Sequence, residues 1–110
     1  MIIAIKKLFG VYEENREYWV YTKKIKVPPE FRATGIRKKK LNRKMDYWNK
    51  NGTFESKVIL DNHYNLLDGY TTVYIAEKTG IEKIPAYFVK DPDAYKAQKE
   101  QEYRAKKNIH

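Results

Sequence analysis

The chain contains 110 residues, no cysteine, and 23 lysine and arginine residues against 14 aspartate and glutamate residues. This length accommodates a single domain, 1–110, with one hydrophobic core, and the lack of cysteine excludes disulfides, thiolate metal sites and cysteine nucleophiles. Because no apolar run approaches the length of a membrane span, we expect no membrane contact, and the cysteine-free composition fits a cytoplasmic location.

The excess positive charge is confined to one part of the chain. Residues 22–50 contain 11 lysines and arginines and only two acidic residues, Glu30 and Asp46, for a net charge of +9. The other 12 of the 23 basic residues are matched by the other 12 of the 14 acidic residues. A local excess of this kind indicates a contact surface for an anionic partner.

The N-terminal part, 1–23, predicts an antiparallel hairpin. Residues 2–9 and 18–27 are rich in β-branched and aromatic side chains, and the polar segment 13–17 suits a turn. The second strand is expected to end at Pro28, because proline cannot donate to a sheet ladder.

Most aromatic side chains are expected to pack the sheet and its helices. This group consists of Tyr18, Trp19, Tyr21, Tyr74 and Tyr87. Tyr12 and Tyr70 are predicted to be exposed.

A basic helix is predicted over 34–51, with Thr34 as a candidate N-cap and Gly52 as the stop. Leu41, Met45 and Trp48 form a narrow apolar stripe at helical spacing. The opposite and flanking faces carry basic side chains, namely Lys39, Lys40, Arg43, Lys44 and Lys50.

Short strands and two helices are predicted in the rest of the chain. They are, in order, a strand at 57–60, a turn at Asp61-Asn62, a strand at 65–67, a helix at 71–79 ended by Gly80, a strand at 84–89, and a polar helix at 92–107 begun by Asp91-Pro92.

The segment between the second short strand and the first of these helices suits a phosphate. Gly69 permits a close backbone approach, and the helix N-terminus that follows offers unpaired N–H groups. The candidate residues of this turn are Asp68, Gly69, Tyr70, Thr71 and Thr72. Ordinary capping is the competing interpretation of the two threonines.

The order of elements over about 24–89 resembles the ParB/sulfiredoxin-like superfamily. Segment 67–72 stands where that superfamily places Asp-Gly-His-His-Arg or a relative, and segment 84–87 resembles its Val-Pro-Val type of strand. Upstream, segment 25–28 and the helix ending near Asn51-Gly52 also fit. The resemblance implies an α/β (α+β) fold, with a small mixed sheet, the N-terminal hairpin and flanking helices.

The usual active-site residues of that superfamily are absent. Tyr70 stands in place of the sulfiredoxin cysteine, and Thr71 and Thr72 replace the following histidine and arginine. Sulfiredoxin chemistry is therefore excluded, and phosphoryl transfer is handicapped because it depends on positioned positive charge. We predict no catalytic residue, no cofactor and no metal ligand, since His63 and the scattered carboxylates lack ligand spacing.

The leading hypothesis is a non-catalytic nucleic-acid-binding module, with a phage or mobile element as its setting. Lysine and arginine contacts to phosphates position a protein without specifying a sequence. The candidate contact residues are Arg32, Arg37, Lys38, Lys39, Lys40, Arg43, Lys44 and Lys50.

Two alternatives remain open at this stage. The first is a protein-interaction or inhibitor module that targets host nucleic-acid machinery through the aromatic hairpin residues Tyr12, Tyr18, Trp19 and Tyr21. The second is a nucleotide-dependent enzyme of the superfamily, in which Asp68, helped by Glu55 or Asp61, would be the base.

Overall fold

A computed structural model describes residues 12–107. The first strand of the predicted hairpin, at 2–9, lies outside the described residues. The described elements are β1 (Glu17–Tyr21), a 3-10 turn (Thr22–Lys24), α1 (Pro29–Thr34), α2 (Lys38–Asn51), β2 (Val58–Leu60), β3 (Leu66–Asp68), α3 (Tyr70–Thr79), β4 (Lys83–Phe88) and α4 (Pro92–Lys107).

The four described strands form one mixed sheet in the order β1-β4-β2-β3. β4 is central, with β1 antiparallel on one side and β2 parallel on the other, and β3 pairs antiparallel with β2. The β2–β4 connection contains α3, as a parallel crossover requires. The small mixed α/β fold predicted from the sequence is confirmed.

One face of the sheet forms the hydrophobic core with α3. Alternate residues of the strands, including Val58, Leu60, Ile84 and Ala86, are fully buried on this face. Val73 and Ala76 of α3 belong to the same cluster. The period of two along β4 follows from the alternation of side chains across a pleated strand.

An aromatic cluster closes one end of this core. Tyr12 stacks on Phe88 with ring centroids 3.8 Å apart, and Tyr18 and Tyr64 meet the same ring edge-on. The hydroxyls of Tyr12 and Tyr64 lie 2.9 Å apart, and burial followed by this hydrogen bond raises the pKa of Tyr12 to about 12. The prediction that Tyr12 is exposed is wrong, whereas Tyr18 packs the core as expected. The prediction that Trp19 packs the sheet is also wrong, because it lies on the other face of β1 from Val20 and is 67% exposed.

The predicted strand at 18–27 is shorter than expected. Its ladder with β4 ends at Tyr21, where Thr22 donates its backbone N–H to Glu82 O and its hydroxyl to Ile81 O. These bonds turn the chain into the 3-10 turn. Beyond it, Lys26 makes only an isolated parallel bridge to Asn65.

The predicted basic helix, 34–51, begins four residues too early: α2 begins at Lys38, and Thr34 is the last residue of α1, a short helix that was not predicted. Gly35 adopts a φ of 72°, a left-handed conformation that ends α1 at Thr34. Thr34 is therefore not an N-cap, and α2 starts after Arg37 without a side-chain cap. Pro29 occupies the first turn of α1, where its missing N–H costs nothing.

The later helices begin and end close to the predicted residues. Gly80 ends α3 with a φ of 72°, and Asp91 caps α4 by accepting the backbone N–H of Ala94 at 3.0 Å. The predicted turn at Asp61 is also confirmed, because its carboxylate accepts the backbone N–H groups of His63 and Asn65.

Candidate phosphate cavity and basic surface

Residues from three separate segments line one open cavity of about 440 Å³, which we call the phosphate cavity. Phe31 and Thr34 come from α1, Arg37 and Lys40 from the start of α2, and Asp68 to Thr71 from the β3–α3 junction. Two groups of residues that the sequence analysis treated separately, the basic helix and the glycine turn, therefore meet here. The cavity combines two cationic side chains with a helix N-terminus, which is a suitable environment for an anion.

The backbone of Lys57 and Val58 leaves no room for a side chain at Gly69. Its φ is 92°, and a Cβ atom at this position would lie 2.4 Å from the backbone oxygen of Lys57. The close approach at this glycine is therefore to the chain's own backbone at the beginning of β2, whereas the sequence predicted an approach to a ligand. The contact fixes the N-terminus of α3 at the mouth of the phosphate cavity.

Asp68 is held by two hydrogen bonds. Its Oδ1 accepts the backbone N–H of Gly69 at 2.8 Å, and its Oδ2 accepts the hydroxyl of Tyr95 at 3.0 Å. Burial, and then the charge and hydrogen bond of Asp68, raise the pKa of Tyr95. Asp68 therefore joins β3 to α4.

The two threonines of the turn are buried. Thr72 is 2% exposed and donates its hydroxyl to Ser56 O at 3.1 Å. Thr71 lines the phosphate cavity. Neither hydroxyl caps α3, whose N-cap is Gly69, so the capping interpretation is wrong.

Tyr70 forms part of the cavity wall. Its ring lies 5.6 Å from that of Phe31, and the Arg32 guanidinium lies 5.4 Å from its centroid. Tyr70 is half-buried rather than exposed as predicted. It therefore links α1 to α3 along the cavity.

The Arg32 guanidinium forms an ion pair with Glu77. Its two terminal nitrogens donate to both carboxylate oxygens of Glu77 at 2.9 Å. These hydrogen bonds, and then the one to Tyr70, raise the pKa of Arg32. A bidentate arginine in this position fixes α1 against α3, which differs from its predicted place among the contact residues.

Lys44 lies on a different side of α2 than expected. It is 9% exposed and donates to Glu55 Oε1 at 3.0 Å and to Ser56 Oγ. Arg43 donates to the same Glu55 oxygen at 2.6 Å. The placement of Lys44 on the solvent face was wrong, because a carboxylate from the 53–57 segment draws the ammonium inward.

We call the remaining predicted contact residues together the basic surface, and they lie on more than one side of α2. Its members are exposed, and within residues 12–107 none of them makes an ion pair. They are Arg37, Lys38, Lys39, Lys40 and Lys50. Three of them occupy the first turn of α2, which has no acidic residue.

Other chemistries find little support in the described part of the chain. Residues 12–107 contain no group of three histidine, cysteine or acidic side chains that could hold a metal ion. Over the same range, no helix is both long and apolar enough to cross a membrane.

Sequence reasoning missed the partners that hold these elements together. Glu77, Ser56 and Tyr95 each contact a predicted site residue from a distant part of the chain. The spacing of Tyr70 and Glu77, two helical turns apart on one face of α3, is the only local signal that links any of them to the site.

Comparison with solved structures places the fold. A pNOB8-like ParB N-domain matches 76% of this chain and 33% of its own, with a TM-score of 0.61 and 21% identity. A second structure of a pNOB8-like ParB N-domain matches 67% of this chain and 28% of its own, with a TM-score of 0.52 and 28% sequence identity. The third structure is the C-terminally truncated chromosome-partitioning protein ParB from Caulobacter crescentus complexed with CTP-gamma-S. It matches 70% of this chain and 46% of its own, with a TM-score of 0.56 and 11% identity.

These likenesses define the class of fold: the chain has a ParB-N-like fold. It spans less than half the length of each of these three proteins. No protein-family model and no curated protein matches the sequence.

Proposed function

We propose that this chain of ParB-N-like fold is a non-catalytic nucleic-acid-binding module that contacts phosphates through the basic surface. The observation that carries the proposal is the set of exposed cations Arg37, Lys38, Lys39, Lys40 and Lys50, which lack ion-pair partners within residues 12–107. Exposed cations concentrated on one helix are the electrostatic footprint of phosphate-backbone binding.

The first turn of α2 supports an anionic ligand in this place. The N-terminus of a helix carries a partial positive charge, which repels lysine side chains and attracts anions. Since α2 has three lysines and no acidic residue in this turn, a bound phosphate would relieve the repulsion.

The non-catalytic part of the proposal is supported by the surroundings of Asp68. This candidate base is engaged by Gly69 and Tyr95, and neither histidine nor arginine follows it. The second candidate carboxylate, Glu55, is bound to Arg43 and Lys44.

Charge neutralisation tests the proposal. We expect the variant with Lys38, Lys39, Lys40 and Lys50 changed to Gln to lose duplex DNA binding while keeping its melting temperature. A matched control changes four exposed lysines elsewhere, Lys90, Lys96, Lys106 and Lys107, to Gln. Equal loss of affinity in both variants would show that net charge alone matters and would contradict the assigned surface.

Nucleotide binding in the phosphate cavity is a second candidate function. The Caulobacter ParB of related fold is described as complexed with CTP-gamma-S, and here Arg37 and Lys40 lie beside the N-terminus of α3. Calorimetry with CTP and ATP tests this directly. Binding that is lost in Arg37→Gln supports it, and no heat with either nucleotide removes it.

A further inference from the structure

The sheet face opposite the core carries an exposed tryptophan. Along β1, Val20 points into the core and Trp19 points away from it, where it is 67% exposed. The register places Trp19 opposite Pro85, with Tyr21 opposite Lys83. Because alternate residues share a face, Trp19, Tyr21, Pro85 and Tyr87 lie together on what we call the open face.

The open face is bordered by cations. The ammonium groups of Lys24 and Lys83 lie 5.5 and 4.8 Å from the ring centroid of Tyr21. Lys57 lies 5.0 Å from the centroid of Tyr87. Positive charge therefore lies on both sides of Trp19 along the strand direction.

Two carboxylates on this face accept tyrosine hydroxyls and keep their negative charge. Glu17 accepts the hydroxyl of Tyr87 at 3.3 Å, and Asp68 accepts that of Tyr95. The three lysines form no ion pair within residues 12–107. The three lysines therefore outnumber the two carboxylates, and the net charge beside Trp19 is positive.

We propose that the open face binds single-stranded nucleic acid, with a base stacked on Trp19 and phosphates on Lys24, Lys57 and Lys83. Aromatic rings on a sheet surface with cations beside them bind unstacked bases of any sequence, because every base has a π face. A duplex does not present its base faces, so this ligand differs from that of the basic surface. A protein interface centre would be depleted of charge, and this face is not.

The dimensions of the open face suit a short run of nucleotides. Positions 83 and 87 of β4 are separated by roughly 13 Å at the usual rise of a strand. Beyond Tyr87 the face continues into a groove of about 660 Å³ between the sheet and α4. Ile59 and Val89 line this groove together with two carboxylates, Glu14 and Asp91, and with Gln98, whose amide can bond a base edge.

The open face and the basic surface are independent of each other. They share no residue, although one cavity is lined by Glu17, Pro85 and Tyr87 of the open face together with Glu55, which binds Arg43 and Lys44 of α2. The inference goes beyond the proposed function, and either can fail alone.

Tryptophan fluorescence tests the inference. The chain has two tryptophans, and Trp48 stacks on Phe54 at 4.5 Å, so a Trp48→Phe background leaves Trp19 as the reporter. We expect a short oligothymidylate to quench Trp19. In the otherwise unchanged chain, Trp19→Ala should weaken oligothymidylate binding about tenfold or more while leaving duplex affinity unchanged.

Control variants separate the possible outcomes. Tyr103→Ala removes another exposed ring, 59% exposed, and should leave affinity unchanged. The basic-surface glutamine variant should still show Trp19 quenching. Absence of quenching, or equal oligothymidylate affinity in Trp19→Ala, overturns the inference. Self-association that disappears in Trp19→Ala during sedimentation, without oligothymidylate binding, assigns the face to a second copy and also overturns it.

Discussion

At the scale of single residues, Glu55 connects α2 to the loop before β2. Its hydrogen bond with Lys44, followed by that with Arg43, lowers the pKa of Glu55. A lowered carboxylate pKa stabilises the fold above the ordinary glutamate value, and this stabilisation is lost as the pH falls through the lowered pKa. We therefore expect wild type and Glu55→Gln to differ in unfolding free energy near neutral pH and to converge in acid, as measured by urea denaturation across pH. A difference independent of pH would contradict this account.

Gly69 fixes the geometry of the site because it has no side chain to clash with the backbone of Lys57. Gly69→Ala should cost about 2–4 kcal/mol, because it adds a backbone clash to an unfavourable φ. Gly80→Ala is the matched control, with a φ of 72° and nothing within 4 Å of the added Cβ. It should cost only about 1 kcal/mol. Equal losses in chemical denaturation would show that the clash with Lys57 is unimportant.

At the scale of elements, the first turn of α2 carries lysines where the helix dipole favours acidic residues. Lys38→Glu places an acid where the helix dipole favours one, and should stabilise the fold by about 0.3–1 kcal/mol. The same change should weaken duplex DNA binding more than Lys38→Gln does, because it also repels phosphates. Thermal unfolding and a binding titration of both variants check this. A Lys38→Glu variant that is neither more stable nor weaker in binding would contradict the role of this turn.

Local chemistry determined which elements could be predicted. Asp91-Pro92 and Gly80 mark helix ends through their own conformational preferences, so α4 and the end of α3 were predictable. The six-residue helix α1 was not predicted, and Gly35, which ends it, was included in the predicted helix 34–51. The partner of Lys44 comes from a loop, and helical periodicity carries no information about such a pairing. The phosphate cavity depends on the break at Gly35, which turns Arg37 and Lys40 toward Gly69.

At the scale of the whole molecule, the fold presents two kinds of surface. The core face of the sheet carries α3, which packs against α2 with its lysines, and the other face presents Trp19. The ParB-N-like fold supplies this scaffold. Under the proposed function, nucleic-acid phosphates contact the basic surface, whereas Arg32, Arg43 and Lys44 of the same range are paired with carboxylates.

The salt dependence of duplex DNA binding tests that claim most directly. If about five phosphates are neutralised, log affinity should fall against log salt with a slope of roughly −4 to −5. The slope should become shallower in the variant with Lys38, Lys39, Lys40 and Lys50 changed to Gln, and should stay unchanged in the control with Lys90, Lys96, Lys106 and Lys107 changed to Gln. A slope near zero in the wild type, or the same slope in all three proteins, would contradict the account.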